Sequence, residues 1–363
     1  MGHEHDQRAL TTVPRRVRDW LLAREPVRRP SICGCRIVVA ASGGADSSAL
    51  VLALAEALHS LGSEPSSSLV VAHFNHRLRS DRDHLTDREV VRGLAARVGA
   101  SLIISEAATD EIRDGAASDG GLESAARRLR YEFLASAATA AGALTICTGH
   151  TRDDQAETVL MRLLSGIEGV LLEGIPESRQ LNARLVIERP LLDTSRREIE
   201  CYLEQNGVQW SNDRTNFATR YRRNRVRHEI LPQIETVWPA VRDDLVALGR
   251  AMARYRVSVR DQAAAVGAVY EESWASVPRE EFFRLSVDAR LEFLYGVLRR
   301  LNRLDRGNRP GHAFFAPVLG SDPGGDRRLI EARGTRIEAR GDCLIVRTVL
   351  SAPVNSGIFR GIG

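Results

Sequence analysis

Between residues 36 and 192 the chain alternates β-branched apolar runs with Ala/Leu-rich helical stretches, and this alternation restricts its fold more than any other feature. The runs RIVVAA (36–41), LVVAHF (69–74), SLIIS (101–105), ALTICT (143–148) and RLVIERPLL (184–192) read as strands. Helical stretches at 47–59, 85–98, 122–141 and 153–164 separate them. Parallel neighbours need a crossover between them, so the pattern predicts an α/β fold with a doubly wound, mainly parallel five-stranded sheet. Ligands of such sheets bind beyond the carboxyl ends of the strands, which directs attention to the loops that follow each run. An amphipathic helix is expected at 13–24, ending before Pro26. From 234 to 301 the chain reads as arginine-rich helices without a strand signal. A Gly/Pro-rich loop follows, then two short strands, RRLIEARGTRIEA and CLIVRTVL, joined at RGDC. The expected division is 1–235 for the sheet domain, 236–350 for a smaller, mostly helical domain with a terminal hairpin, and 351–363 for a tail.

The first strand runs into SGGADS, residues Ser42, Gly43, Gly44, Ala45, Asp46 and Ser47. Two glycines let the backbone turn sharply and bring several N–H groups together, and a helix start at that point favours an anion. Asp46 would repel a bare phosphate. Its presence implies a cation, with Mg²⁺ held between that carboxylate and phosphate oxygens. The bland alternative is an ordinary glycine turn capped by Asp or Ser. The chain contains no lysine, so all 51 basic Lys/Arg positions are arginine. That excludes a Walker A lysine, a Schiff-base lysine and a lysine nucleophile. A net charge of +4 is compatible with a polyanionic partner without demanding one.

The longest apolar runs, such as ALVLALAEAL at 49–58, are too short to span a bilayer, and the amino-terminal stretch lacks a signal-peptide core. No membrane association and a cytoplasmic location are therefore expected. Five cysteines with no CxxC pair point to reduced thiols.

Four further segments carry polar groups in post-strand positions or in the segment that follows the sheet. HFNHRLR (73–79) places His73 and Phe74 at the end of the second strand. On LESAARRLRYEFL (122–134), Leu122, Ala126, Leu129 and Phe133 form a core stripe, and Arg127 and Arg130 lie off it. Taken alone, those arginines read as a solvated face. TGHTRDDQAETVLMRLLSG (148–166) sets Asp154 and Glu157 three apart at a helix start, where acids are also favoured by the helix dipole. SNDRTNFATRYRRNRVRHEILP (211–232) interleaves arginines with Asn216, Tyr221 and Asn224, which suits nucleic-acid contact.

SGGADS resembles the SGGxDS loop of the PP-loop ATP pyrophosphatases, a Rossmann-like family that cleaves ATP between its α and β phosphates. The other four segments resemble, in order, the H-(V/F)-N-H-x-L-R, E-x-x-A-R-x-x-R-Y, H-H-x-x-D-Q-x-x-E-T and D-x-[ST]-N-x-x-x-x-Y-x-R-N-x-[IV]-R strings of tRNA(Ile)-lysidine synthases. The chain departs from the family pattern at Thr151, where the second histidine stands, and at SGIEG, where R-G-[ST]-G is usual. It looks like a short form of the family. The resemblance implies a cytoplasmic ligase that uses ATP and Mg²⁺ to join L-lysine to C2 of the wobble cytidine of tRNA(Ile) with a CAU anticodon, through an adenylated tRNA. It leaves a homodimer open. By the same resemblance Ser42–Ser47 with His73 and Phe74 bind the nucleotide, with Asp46 on Mg²⁺. Asp46, Asp154, Glu157, Arg127 and Arg130 are catalytic. Asn216, Tyr221, Arg223, Asn224 and Arg227 contact tRNA, and the helical second domain serves tRNA or substrate recognition. A 2-thiocytidine-type PP-loop enzyme would need paired CxxC motifs that are absent here. A non-catalytic nucleotide- or RNA-binding protein is the other alternative.

Overall fold

In the computed structural model, residues 2–23, 36–77, 81–108, 111–112, 114–115, 121–167, 169–211, 222–301, 312–322, 324–332 and 334–348 are described. Strand β1 (Ile37–Ala40) lies in the middle of a six-stranded sheet. Its neighbours are β2 (Leu69–Asn75), with β3 (Ser101–Glu106) beyond it, and β4 (Thr145–Cys147) on the other side. The order is completed by β6 (Val186–Glu188) and the edge strand β5 (Ser178–Gln180), giving β3-β2-β1-β4-β6-β5. All pairs are parallel except β5 with β6. The mainly parallel, doubly wound expectation holds, with six strands rather than five. The extra strand reads Ser-Arg-Gln and carries no apolar signal; it pairs at an edge, where one side faces solvent.

Period-two alternation shares the central strands between two cores. Ile37 and Val39 join a cluster with helices α1 (Gly2–Leu22), α2 (Ala45–Ser60), α3 (Asp81–Arg97) and α6 (Arg196–Gln205). Val38 faces the other way, toward Tyr131, Leu134 and Ala138 of α4 (Leu122–Ala140). Helix α1 begins upstream of the expected start at residue 13. Arg16 pairs with Glu198 of α6 at 2.9 Å. Strand β4 leads into α5 (Arg152–Leu164). A later helical stretch runs through α7 (Arg222–Arg225), a π-helical turn (Val226–Ile230), α8 (Leu231–Val237) and α9 (Val241–Ala264).

The chain forms two compact units, one of residues 1–166 with 172–250 and one of 167–171 with 251–363. The second unit is less helical than its sequence suggests. It contains a five-stranded antiparallel sheet in the order β7-β8-β11-β10-β9: β7 (Val269–Tyr270), β8 (Trp274–Pro278), β9 (Arg327–Ala332), β10 (Thr335–Arg340) and β11 (Cys343–Thr348). RRLIEARGTRIEA is two strands, broken at Gly334, whose φ of 68° suits a tight turn. Strands β7 and β8 fall in the stretch read as helical; only Ala275 and Val277 of β8 are buried, too short an alternation to register. One sheet face packs Ile337, Leu344 and Val346 against Phe282 of α10 (Arg279–Arg284), Leu294 and Tyr295 of α11 (Val287–Arg300) and Phe315 of α12 (His312–Leu319). Among the described residues, no helix is long and apolar enough to cross a membrane. Cys147, Cys201 and Cys343 are free thiols; Cys33 and Cys35 lie outside the described residues.

Candidate active site

The sheet order changes direction between β1 and β4, and the loops that leave their carboxyl ends meet there. A Cβ on Gly149 would stand 3.0 Å from the Asp46 backbone carbonyl, so glycine alone lets the two loops approach. In the first loop Gly43 has φ 90°, and a Cβ on it would lie 3.1 Å from the Asp87 backbone of α3. The serine hydroxyls hold this turn in shape. Ser47 Oγ accepts from the Ser42 N–H at 3.1 Å and donates to the Gly44 carbonyl at 3.0 Å. Helix α2 starts immediately after, with Gly44 as its cap residue and Asp46 in its first turn.

Asp46 Oδ1 is buried without a hydrogen-bond partner. Burial first, and then the charge of Asp154, push its carboxyl up to about 7, with Arg196 and Arg227 pulling the other way. An ionised Asp46 is therefore left unsatisfied by the protein alone, which fits a bound cation. Among the described residues no group of three or more His, Cys, Asp and Glu could hold a metal.

Ser42, Asp46, Ser47, His73, Phe74, Arg127 and Arg130 line one cavity of about 220 Å³. The sequence thus singles out side chains from three separate segments that the fold brings to a common space. His73 is buried and its Nδ1 donates to the Ala41 carbonyl at 2.9 Å, which pins the end of β2 to the start of the loop. Phe74 stacks on Phe133 at 5.5 Å between centroids.

The cavity also takes in Asn75, His84, Asp87, Thr148 and His150, to which the sequence assigns no role of their own, and Tyr131, which the helical spacing places beside Arg127 and Arg130. His150 is the most informative of these, since its place directly after Gly149 at the end of β4 could have marked it. Its Nδ1 meets Thr148 Oγ1 at 2.9 Å. Burial foremost lowers it to about 4, so the ring is neutral at pH 7.

Next to this cavity, Asp154 and Glu157 are bound to two arginines more than sixty residues away. Arg223 donates Nε to Glu157 Oε2 and Nη2 to Asp154 Oδ1, both at 2.8 Å. Arg227 donates Nε to Glu157 Oε1 at 2.5 Å and Nη2 to Asp154 Oδ1 at 3.0 Å. Spaced i and i+4, the two arginines share one face of the Arg222–Ile230 turns, while Arg222 and Arg225 point to solvent. Any tRNA phosphate would compete with Asp154 and Glu157 for them. Burial opposes the Asp154 charge, and Arg223 and Arg227 overcome it, holding its carboxyl below the usual range.

Thr151, where the family has a second histidine, caps α5. Its Oγ1 accepts from the Asp154 N–H at 3.3 Å, and Asp154 Oδ2 accepts from the Thr151 N–H at 2.8 Å. Thr151→Ala should lower stability by about 1 kcal/mol, read from the urea midpoint, and leave Asp154 less firmly oriented. Asn224 is half-buried in the same helical turn as Arg223; Asn216 and Tyr221 lie outside the described residues.

A PP-loop domain model matches residues 27–234, more than half of the chain. The tRNA(Ile)-lysidine synthase of Treponema denticola is 30% identical over 354 residues, which cover 95% of this chain and 73% of that protein. The chain belongs to the tRNA(Ile)-lysidine synthase family. The family member from Deinococcus deserti is 36% identical over 286 residues, covering 78% of this chain and 50% of the relative. That from Symbiobacterium thermophilum is 41% identical over 231 residues, covering 63% and 45%. The chain therefore spans about half the length of these two family members. Among solved structures, a U34-tRNA thiolase from Methanococcus maripaludis with its [4Fe-4S] cluster superposes with a TM-score of 0.52 at 17% identity. It covers 69% of this chain and 80% of the other, a likeness of fold alone.

Proposed function

We propose that the protein is a tRNA(Ile)-lysidine synthase in activity as well as family: it adenylates the wobble cytidine of the CAU-anticodon tRNA(Ile) and replaces the adenylate with lysine. The observation that carries this reading is the single cavity shared by the SGGADS loop, the end of β2 and Arg127 and Arg130, beside a cluster of two acids and two arginines.

In the first step the C2 oxygen of cytidine attacks the α-phosphorus, and the bond to the β-phosphate breaks with its electron pair leaving on pyrophosphate. The loop N–H groups and the α2 amino terminus receive the anion. Asp46 is the residue that would hold Mg²⁺, which when bound neutralises phosphate charge and orients the leaving group. In the second step the ε-amine of lysine attacks C2, the C2–O bond breaks, and AMP leaves with that oxygen while the amine gives up a proton. Asp154, Glu157, Arg223 and Arg227 alternate in charge, an arrangement suited to a zwitterion, with guanidinium to carboxylate and carboxylate to α-ammonium. His150, neutral at pH 7, offers the cavity an uncharged imidazole. The target base must leave its stack to reach the cavity, at a cost of a few kcal/mol in comparable enzymes.

Incubation with ATP, Mg²⁺, labelled lysine and the CAU isoleucine tRNA should transfer label to RNA with equimolar AMP and pyrophosphate. No label in RNA, or ADP as product, would overturn the reading.

A further inference from the structure

Three guanidiniums converge on Tyr131, a residue that is 8% exposed in the cavity wall. The Arg127 and Arg179 guanidinium carbons lie 5.1 and 4.9 Å from its ring centroid. Arg127 Nη2 also donates to Tyr131 Oη at 3.3 Å, and Arg189 lies close enough to the same side chain for the two to interact electrostatically. Arg189 is 3% exposed; its Nη1 donates to the Pro176 carbonyl, and its Nε is buried without a hydrogen-bond partner. Burial first, then the charges of Arg179 and Arg127, hold Arg189 below its usual value. These side chains come from helix α4, the edge strand β5 and the residue after β6, so the fold has assembled like charges from three places.

Like charges this close are unfavourable unless an anion joins them. Among the described residues no carboxylate pairs with Arg127, which contacts the hydroxyl and the ring of Tyr131. Aromatic faces and a phenol hydroxyl can hold a guanidinium in place without neutralising it, which leaves its charge for a ligand. If ATP is split as proposed above, two anions must part in this cavity. Pyrophosphate has its receptor in the amide-rich loop at 42–47. The phosphoryl group that stays with adenosine needs another.

We infer that Tyr131, Arg179 and Arg189 are positioning residues that hold the Arg127 guanidinium ready for the nucleoside monophosphate phosphoryl group. This rests on the reading of the cavity as an ATP-cleaving site. Arg127 meets the ligand, and the other three act through it.

The full chain is titrated by calorimetry with AMP and, separately, with inorganic pyrophosphate in the presence of Mg²⁺. Tyr131→Phe, which keeps the ring and loses the hydroxyl, should raise the Kd for AMP about threefold. Tyr131→Leu and Arg179→Gln should raise it tenfold or more. The Kd for pyrophosphate should change less than twofold in all three. An equal loss for both ligands would show a general collapse of the cavity and overturn the inference, as would unchanged AMP affinity in the half-buried Arg179→Gln. Neither titration involves tRNA or lysine. Absence of label transfer with this AMP–pyrophosphate split intact would therefore sink the lysidine reading alone.

Discussion

Asp46→Asn should abolish turnover and, in the absence of ligands, make the protein more stable above neutral pH. The two outcomes have one cause. The Asp46 carboxyl titrates near 7 in the folded chain against an ordinary 3.8, because burial and then Asp154 disfavour its charge. A carboxyl whose folded value is raised destabilises the fold as it ionises, so stability falls as pH climbs from about 4 through 7. At one pKa unit per 1.36 kcal/mol, and with part of the side chain open to solvent, the cost at pH 8 is about 2–4 kcal/mol. Asparagine cannot ionise, so between pH 5 and pH 8 the wild type should lose stability relative to the variant, the contribution of His150 being common to both. Urea unfolding at the two pH values, without Mg²⁺ or ATP, measures this directly. Turnover should fall by about 10³-fold or more, since the neutral amide offers a cation no charge. A variant with wild-type turnover would remove Asp46 from the metal site. Equal pH dependence in both proteins would remove its burial as the source of strain. MgATP binding to the wild type should also weaken as pH drops below 7, because a protonated Asp46 no longer attracts the ion.

How much of this was legible in the sequence differs from segment to segment. The strand–helix alternation determined the sheet because β-branched runs such as IVVA can be buried on both faces only at its centre. SGGADS could be placed functionally because it follows the strand at which the order reverses, a consequence of topology that the alternation already contains. The strands that went unread have little apolar pattern to show. β5 is Ser-Arg-Gln, β7 is two residues long, and the second sheet declares itself through pairing with β10 and β11. The basic run at 222–227 reads equally well as a solvated face or a tRNA contact, since no local rule says that Arg223 and Arg227 turn inward while Arg222 and Arg225 do not. That choice depends on Asp154 and Glu157, nearly seventy residues earlier. His150 carries no local signal for a related reason: a lone histidine after a strand packs or caps as readily as it binds, and only the close approach of the loops after β1 and β4 brings it to the cavity.

Glu157→Gln should be among the most destabilising single changes in the sheet domain, although it conserves shape and removes no apolar contact. The Glu157 side chain is fully buried and accepts three hydrogen bonds, from Arg223 Nε at 2.8 Å and from Arg227 Nε and Nη2 at 2.5 and 3.0 Å. Burial works against the Arg227 charge, but its bonds to Glu157 and the nearby Asp154 raise its affinity for the proton above the ordinary value. An arginine keeps its charge at any working pH even without that support, so Arg227 stays a cation when its partner is lost. Removing one member of a buried ion pair costs about 3–5 kcal/mol, because the remaining charge is stranded. Here Arg223, whose side chain is 40% exposed, can turn to water, and Asp154 Oδ1 still accepts from both arginines. The lower end applies, about 3 kcal/mol, or a Tm lower by about 6–12 °C for a unit of this size. Adding Arg223→Gln should cost less than the two single changes summed, because the second substitution removes a cation that the first left short of charge. Strict additivity in that cycle would mean that the four side chains are independent surface pairs. Non-additivity of 1 kcal/mol or more, by contrast, identifies one charge-balanced unit. Such a unit can admit a zwitterion only by exchanging its own partners for those of the ligand, so wild-type stability and lysine affinity should be coupled through Glu157.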